Sequence, residues 1–117
     1  MGRLLACLSL GLAACSSEPP APADDLPAIK QLRSAAAEWA LVNREAARGR
    51  LTRAYADGMR DAAREEIASG RSALKSPSTP APAEAAALLA LPERADPSAI
   101  ASHAARLKAL EDRLEPS

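Results

Sequence analysis

Phenylalanine is absent from this chain of 117 residues, and aromatic side chains are confined to one Trp and one Tyr. A large aromatic core is therefore excluded, and folding has to rest on close approach of small residues around a few Leu, Ile and Trp anchors. Two cysteines and one histidine cannot furnish a disulfide framework or the usual nitrogen and sulfur ligand set of a zinc centre, so no metal or cofactor is expected. The 15 basic and 15 acidic side chains cancel, which excludes the strong basic excess of a nucleic-acid-binding domain. No apolar run reaches the ~20 residues that a mature membrane-spanning helix needs. Glycine-rich phosphate loops, Gly-x-Ser-x-Gly, His-Glu-x-x-His and calcium loops are all missing, and a single imidazole leaves little from which to preorganise a catalytic site. The expectation is a protein that is not an enzyme.

What is present begins at the N-terminus. Met1-Gly2-Arg3 carries a positive charge, Leu4 to Leu12 is apolar apart from the small Ser9 and Gly11, and Ala13-Ala14-Cys15 closes the run before Ser16-Ser17 and proline-rich chain. A charged start, a short apolar segment and a small-residue ending make a signal peptide. Two cleavage patterns fit: an ordinary secretory cut near Ala14 that leaves Cys15 a free thiol, or a cut before an acylated Cys15. Cys7 falls in the discarded segment, so Cys15 would be the only mature cysteine, and acylation explains a single cysteine at the first mature position better than pairing does.

The tetrapeptide Leu12-Ala13-Ala14-Cys15 resembles the lipobox of bacterial lipoproteins, in which signal peptidase cuts before a cysteine already bearing diacylglycerol. The resemblance covers Met1 to about Ser17; the remainder is not assigned to a family. It implies cleavage between Ala14 and Cys15, three acyl chains on Cys15, of the palmitate kind, and delivery to a bacterial envelope membrane with the domain facing the periplasm. Ser16, where inner-membrane retention in enterobacteria uses Asp, looks like the pattern exported to the outer membrane. One acyl chain anchors only marginally, so stable anchoring needs more than one.

Removing 14 of 117 residues leaves 103, one domain's worth. Residues 15–24 read as a lipidated Cys and flexible tether: with Pro19, Pro20 and Pro22 among its nine residues, Ser16 to Asp24 spans up to roughly 28 Å at ~3.1 Å per residue. The helical domain occupies 25–114, with a Pro-rich linker at 76–82. Asp24-Asp25-Leu26-Pro27 is a start signal in which Asp caps the first turn and Pro is tolerated within it. Ile29, Leu32, Ala36, Trp39 and Asn43 then share one face of a helix over about 25–47. Gly49 is a stop and Thr52 a new cap, and Leu51, Tyr55, Met59, Ala62, Ala63 and Ile67 define the inner face of a second helix, about 52–72, with Arg60 and Arg64 outside. Gly49-Arg50-Leu51 is either a tight turn or a kink in one long helix; alanine-rich faces that allow close approach favour the hairpin.

Three prolines in Ser76 to Pro82 call for an extended connection. A short helix follows at 83–91, closed by Pro92. Asp96-Pro97 opens a last helix, 97–114, in which Ile100, His103, Leu107, Leu110 and Leu114 form a seam that wants a partner, either the hairpin of the same chain or a second copy. The fold class is all-α.

No residue stands out as catalytic. His103 needs a nucleophile or carboxylate beside it, which its helical neighbours do not provide, and a place at the core boundary suits it better. Trp39 is a candidate partner contact, with core packing as the competing role. Arg44, Arg48, Arg50 and Arg53 cluster at the expected turn as a candidate basic contact for an anionic partner or lipid headgroup, although Glu45 and Asp57 lie near enough to offset them. The functional expectation is a non-enzymatic envelope lipoprotein that docks on a periplasmic protein or assembly, the alternative being a structural lipoprotein that self-associates through its helices.

Overall fold

The structure, a computed structural model, describes residues 19–116. Leu12 to Cys15, the signal segment and the start of the spacer lie outside the described residues. Four helices are present: α1 Leu26–Ala47, α2 Arg53–Ala73, α3 Ala81–Ala90 and α4 Pro97–Leu114, with a 3-10 turn at Pro22–Asp25 before them and no strand among the described residues.

Local chemistry sets most of the ends. Gly49 has φ +70°, and Arg50 N–H and Gly49 N–H donate to the carbonyls of Glu45 and Ala46 at 3.0 Å each, the paired bonds that close a helix on a left-handed residue. The chain therefore turns, and α1 and α2 form a hairpin. Thr52 Oγ1 accepts from Tyr55 N–H at 3.2 Å, and Asp96 Oδ1 accepts from Ser98 N–H at 3.0 Å, so both expected caps are made.

Three expected local features differ. Asp25 does not cap α1; its buried carboxylate accepts from the N–H groups of Lys75 and Ser76, both at 2.8 Å, and ties the entry of the domain to the chain leaving α2. The extended spacer expected to Asp24 ends at Pro22, where the 3-10 turn begins, with Asp24 accepting from Ala21 N–H at 2.9 Å. The linker expected through Pro82 ends at Pro80, because Pro82 sits in the first turn of α3, where a missing N–H leaves no bond unmade.

Gln31 meets Glu66 and Asn43 meets Arg60, so α2 runs antiparallel to α1; Lys30 meets Glu115 at 2.8 Å and Arg33 meets Glu111 at 2.9 Å, so α4 does too. The central helix is α1, with α2 and α4 on either side and α3 bridging them. Trp39, Ile29, Leu32, Ile67, Leu88, Ile100 and Leu107 are fully buried, with alanines between them. Of the α4 seam, Ile100, Leu107 and Leu110 are buried within the chain together with Ala104, while His103 and Leu114 are half-buried.

The inner face of α2 is rotated from the expected one. Ala56, Arg60, Ala63, Ile67 and Gly70 face inward, whereas Tyr55 and Ala62 are exposed. Apolar spacing favoured Tyr55 and Met59, but Arg60 is drawn in by Asn43, and Gly70 lets α2 approach α1 at Leu32. A Cβ at Gly70 would lie 3.0 Å from Leu32 Cγ and Cδ2, while one at Gly58 would meet nothing within 4 Å.

These two glycines respond oppositely to the same substitution. Gly58→Ala is expected to stabilise by about 0.5–1 kcal/mol through helix propensity. Gly70→Ala is expected to lose about 1 kcal/mol or more, because fully buried Leu32 has nowhere to retreat. Urea denaturation of both variants checks this, and equal shifts in the same direction would contradict the packing.

Candidate functional site

The last turn of α3 and the chain between α3 and α4 present a series of carbonyls that side chains answer. Arg64 donates to Leu91 O at 2.9 Å and to Leu89 O at 3.3 Å. Trp39 Nε1–H donates to Glu93 O at 2.9 Å, and Asn43 Nδ2 donates to Glu93 O at 3.1 Å and Ala95 O at 2.9 Å. The Arg64 guanidinium also lies 5.2 Å from the Trp39 ring centroid, a cation–π distance. Trp39 is 0% exposed, which removes it from the candidate contact surface and gives it the packing role instead.

Asn43 completes the arrangement. Its Oδ1 accepts from Arg60 Nε at 2.6 Å, and Arg60 Nη1 donates to Asp57 at 3.0 Å, so an Arg only 6% exposed is held on two sides. No buried side-chain nitrogen or oxygen among the described residues lacks a partner. Arg60 and Arg64 escaped the apolar pattern; the signal for Arg60 was a 4-3-4-3 run from Ala56 to Gly70 facing a buried Asn.

Beside Arg60 the surface opens into a groove of about 370 Å³ at the Gly49 end of the bundle. Arg53, Arg60 and Arg94 line it together with Ala46, Ala47 and Leu51. Asp57 stands at its rim, 3.0 Å from Arg60 Nη1 and 3.9 Å from Arg94 Nη2. Among the described residues Asp57 is the one carboxylate within ion-pair distance of any of these three guanidiniums.

Of the other basic candidates, Arg48 and Arg50 share Glu45 at 3.2 and 3.1 Å and remain well exposed. Surface pairs of this kind contribute only ~0–1 kcal/mol and leave the arginines free to exchange partners. The structure therefore brings Arg53 to Arg60 and Arg94 and leaves Arg48 and Arg50 as a separate pair on the turn. Arg94 comes from the α3–α4 connection, too far along the chain for local spacing to find. Cys15 and Ala14 lie outside the described residues.

A second cluster joins α3 to α4. Glu84 Oε1 lies 2.6 Å from His103 Nδ1, and Arg106 Nε contacts both Glu84 oxygens at 3.0 and 2.9 Å. Burial pushes the Glu84 carboxyl up, but hydrogen bonds and charge from Arg106 and His103 outweigh it and hold its pKa below the ordinary value of 4.5. An ionised carboxylate only accepts, so Nδ1 carries the proton and donates to it. The carboxylate that His103 lacked on its own helix is thus supplied by α3, and Arg106, whose guanidinium only donates, is held by Glu84 rather than by the protonated ring nitrogen. Likewise burial raises Glu111, while Arg33 and Lys108 bring it below its ordinary value.

No helix among the described residues is long and apolar enough to cross a membrane, and no group of His, Cys, Asp and Glu there is placed to hold a metal ion. The fold and groove define the chain as a small all-α module with a basic end. Comparison with protein-family models, curated proteins and solved structures finds no match to it.

The two depressed carboxylates set an acid limit. Their folded pKa values lie below the unfolded ones, so they stabilise the fold above about pH 4.5, and that stabilisation is lost as pH falls through the folded values. Urea midpoints are expected to drop between about pH 6 and about pH 3, and to drop less in the Glu84→Gln, Glu111→Gln variant. An identical pH slope in that variant would contradict the assignment.

Proposed function

We propose that this protein is a lipid-anchored, non-enzymatic docking module of a bacterial envelope, held by acyl chains on Cys15 and facing the periplasm, with the outer membrane as its destination. One observation carries the docking half. The chain enters the bundle at Asp25, whereas Arg48, Arg50, Arg53 and Arg94 gather at the other end of α1, whose 22 residues span about 33 Å at ~1.5 Å per residue.

An anchor at one end and a charged surface at the other suit a module that reaches from a membrane towards a soluble partner. The spacer adds reach: six residues, Ser16 to Ala21, separate Cys15 from the 3-10 turn, or at most roughly 19 Å at ~3.1 Å each. The Asp25 clip fixes where that spacer meets the domain, so the distal end keeps its orientation relative to the point of attachment. Self-association through the α4 seam is the weaker alternative, since intramolecular packing already uses those side chains.

The anchor is tested by feeding cells labelled palmitate. Wild type is expected to incorporate label and Cys15→Ala to incorporate none; equal absence of label from both would overturn the anchor. Docking is tested by a photo-crosslinking residue at position 50 in cells. A discrete envelope-protein adduct that is lost with Cys15→Ala is expected, and absence of any adduct from positions 48, 50 and 53 would overturn docking through this end.

A further inference from the structure

The groove at the basic end carries more than a net charge. Arg60 is nearly buried, and two of its three guanidinium nitrogens are committed, Nε to Asn43 and Nη1 to Asp57. Its Nη2 has no partner among the described residues. Since no wholly buried side-chain nitrogen or oxygen lacks one, Nη2 must reach solvent, and the opening that Arg60 lines is the groove. The fold thus presents a fixed donor at the base of a concavity. Its orientation is set by Asn43, which is itself set by the carbonyls of Glu93 and Ala95.

Two exposed arginines complete the site. Arg53, from the first turn of α2, has no ion-pair partner among the described residues, and Arg94 is held only by a 3.9 Å contact to Asp57. One rigid donor flanked by two adaptable guanidiniums suits an oxyanion, and Arg is well shaped for bidentate contact with a carboxylate. Between them lie Ala46, Ala47 and Leu51, small or apolar side chains that leave room for a backbone and a hydrophobic side chain. The volume sits at the low end of the roughly 300–1,000 Å³ of ligand sites, enough for a short extended fragment.

We infer that this groove binds an extended acidic peptide segment of a partner protein, its carboxylate taken by Arg60 Nη2, Arg53 and Arg94 and an adjacent apolar side chain resting against Ala46, Ala47 and Leu51. The inference rests on the docking function proposed above and names the chemistry of the partner's contact. A lipid headgroup offers a similar charge, but the described chain enters the domain at the opposite end of α1 from the groove, and a headgroup makes no use of the apolar side chains beside the arginines.

The test is a heteronuclear NMR titration of the full chain carrying Cys15→Ser, following the amides of Ala46, Ala47 and Leu51 and the Nε–H signals of Arg53, Arg60 and Arg94. The probes are the acetylated and amidated peptide Leu-Asp-Leu-Glu-Leu-Ala, the same peptide with Asn and Gln in place of Asp and Glu, inorganic phosphate, and phosphatidylglycerol vesicles. Saturable shifts confined to these signals are expected with the acidic peptide and not with its neutral counterpart. Affinity is expected to fall about tenfold or more in the Arg53→Gln, Arg94→Gln variant, both side chains being exposed and outside the core. Arg60 is left intact because its removal would disturb the fold. Equal response to phosphate would make the groove a general oxyanion site and overturn the peptide reading. Signal loss with vesicles alone would assign it to lipid and overturn it likewise, as would silence towards every probe. A retained crosslink at position 50 beside a silent groove would remove only this inference, while loss of that crosslink as well would remove docking itself.

Discussion

Asn43 holds the structure together at the place where apolar burial alone could not. The stretch from Leu89 to Ala95 turns backbone carbonyls towards the interior, and a buried carbonyl without a donor costs about 1–3 kcal/mol. Asn43 answers two of them and offers its own oxygen to Arg60, so one amide joins α1, α2 and the α3–α4 connection. Trp39 shares the Glu93 carbonyl and fills the centre, and Arg64 answers the two carbonyls before it while covering the indole face. In a protein with no Phe and a core of alanines, a polar network supplies the specificity that interlocking large side chains supply elsewhere.

The same helix is held at its other end by Asp25. Its two carboxylate oxygens satisfy two consecutive N–H groups just beyond α2, so the chain cannot peel away at the point where the spacer begins. Each end of α1 thus captures a segment distant in sequence, with α2 held in antiparallel register by the Gln31–Glu66 and Asn43–Arg60 hydrogen bonds and α4 by the Lys30–Glu115 and Arg33–Glu111 ion pairs. The basic groove is a consequence of this construction: Arg60 is buried because Asn43 needs a donor, and its remaining nitrogen has only the groove to face.

What could be read from the sequence was local. Gly49, Thr52 and Asp96-Pro97 signal helix ends through their own backbone preferences, and α4 falls on 97–114 as its pattern requires. Trp39, Leu32 and Ile67 were legible as core because apolar periodicity is a direct trace of burial. Buried Arg60 and half-buried Arg64 were not, because periodicity counts only apolar residues, and their placement depends on Asn43 and on carbonyls 25 or more positions away. Asp25 misled for a related reason: a cap and a long-range clip use the same carboxylate, and only the tertiary structure decides between them. At the groove, Arg53 was visible in the arginine cluster about the turn, whereas Arg94 had no local neighbour to betray it. The pairing of His103 with Glu84 was hidden in the same way, since the two stand on different helices.

The dependence on Asn43 can be measured against a neighbour on the same helix. Asn43→Ala strands a charged nitrogen of Arg60 and the carbonyl of Ala95, whereas Leu41→Ala removes a side chain that is 50% exposed. Urea denaturation is expected to give a loss of about 2–4 kcal/mol for Asn43→Ala and about 0.5 kcal/mol or less for Leu41→Ala. Comparable losses for the two would mean that the buried amide is not what holds the helices and their connection together.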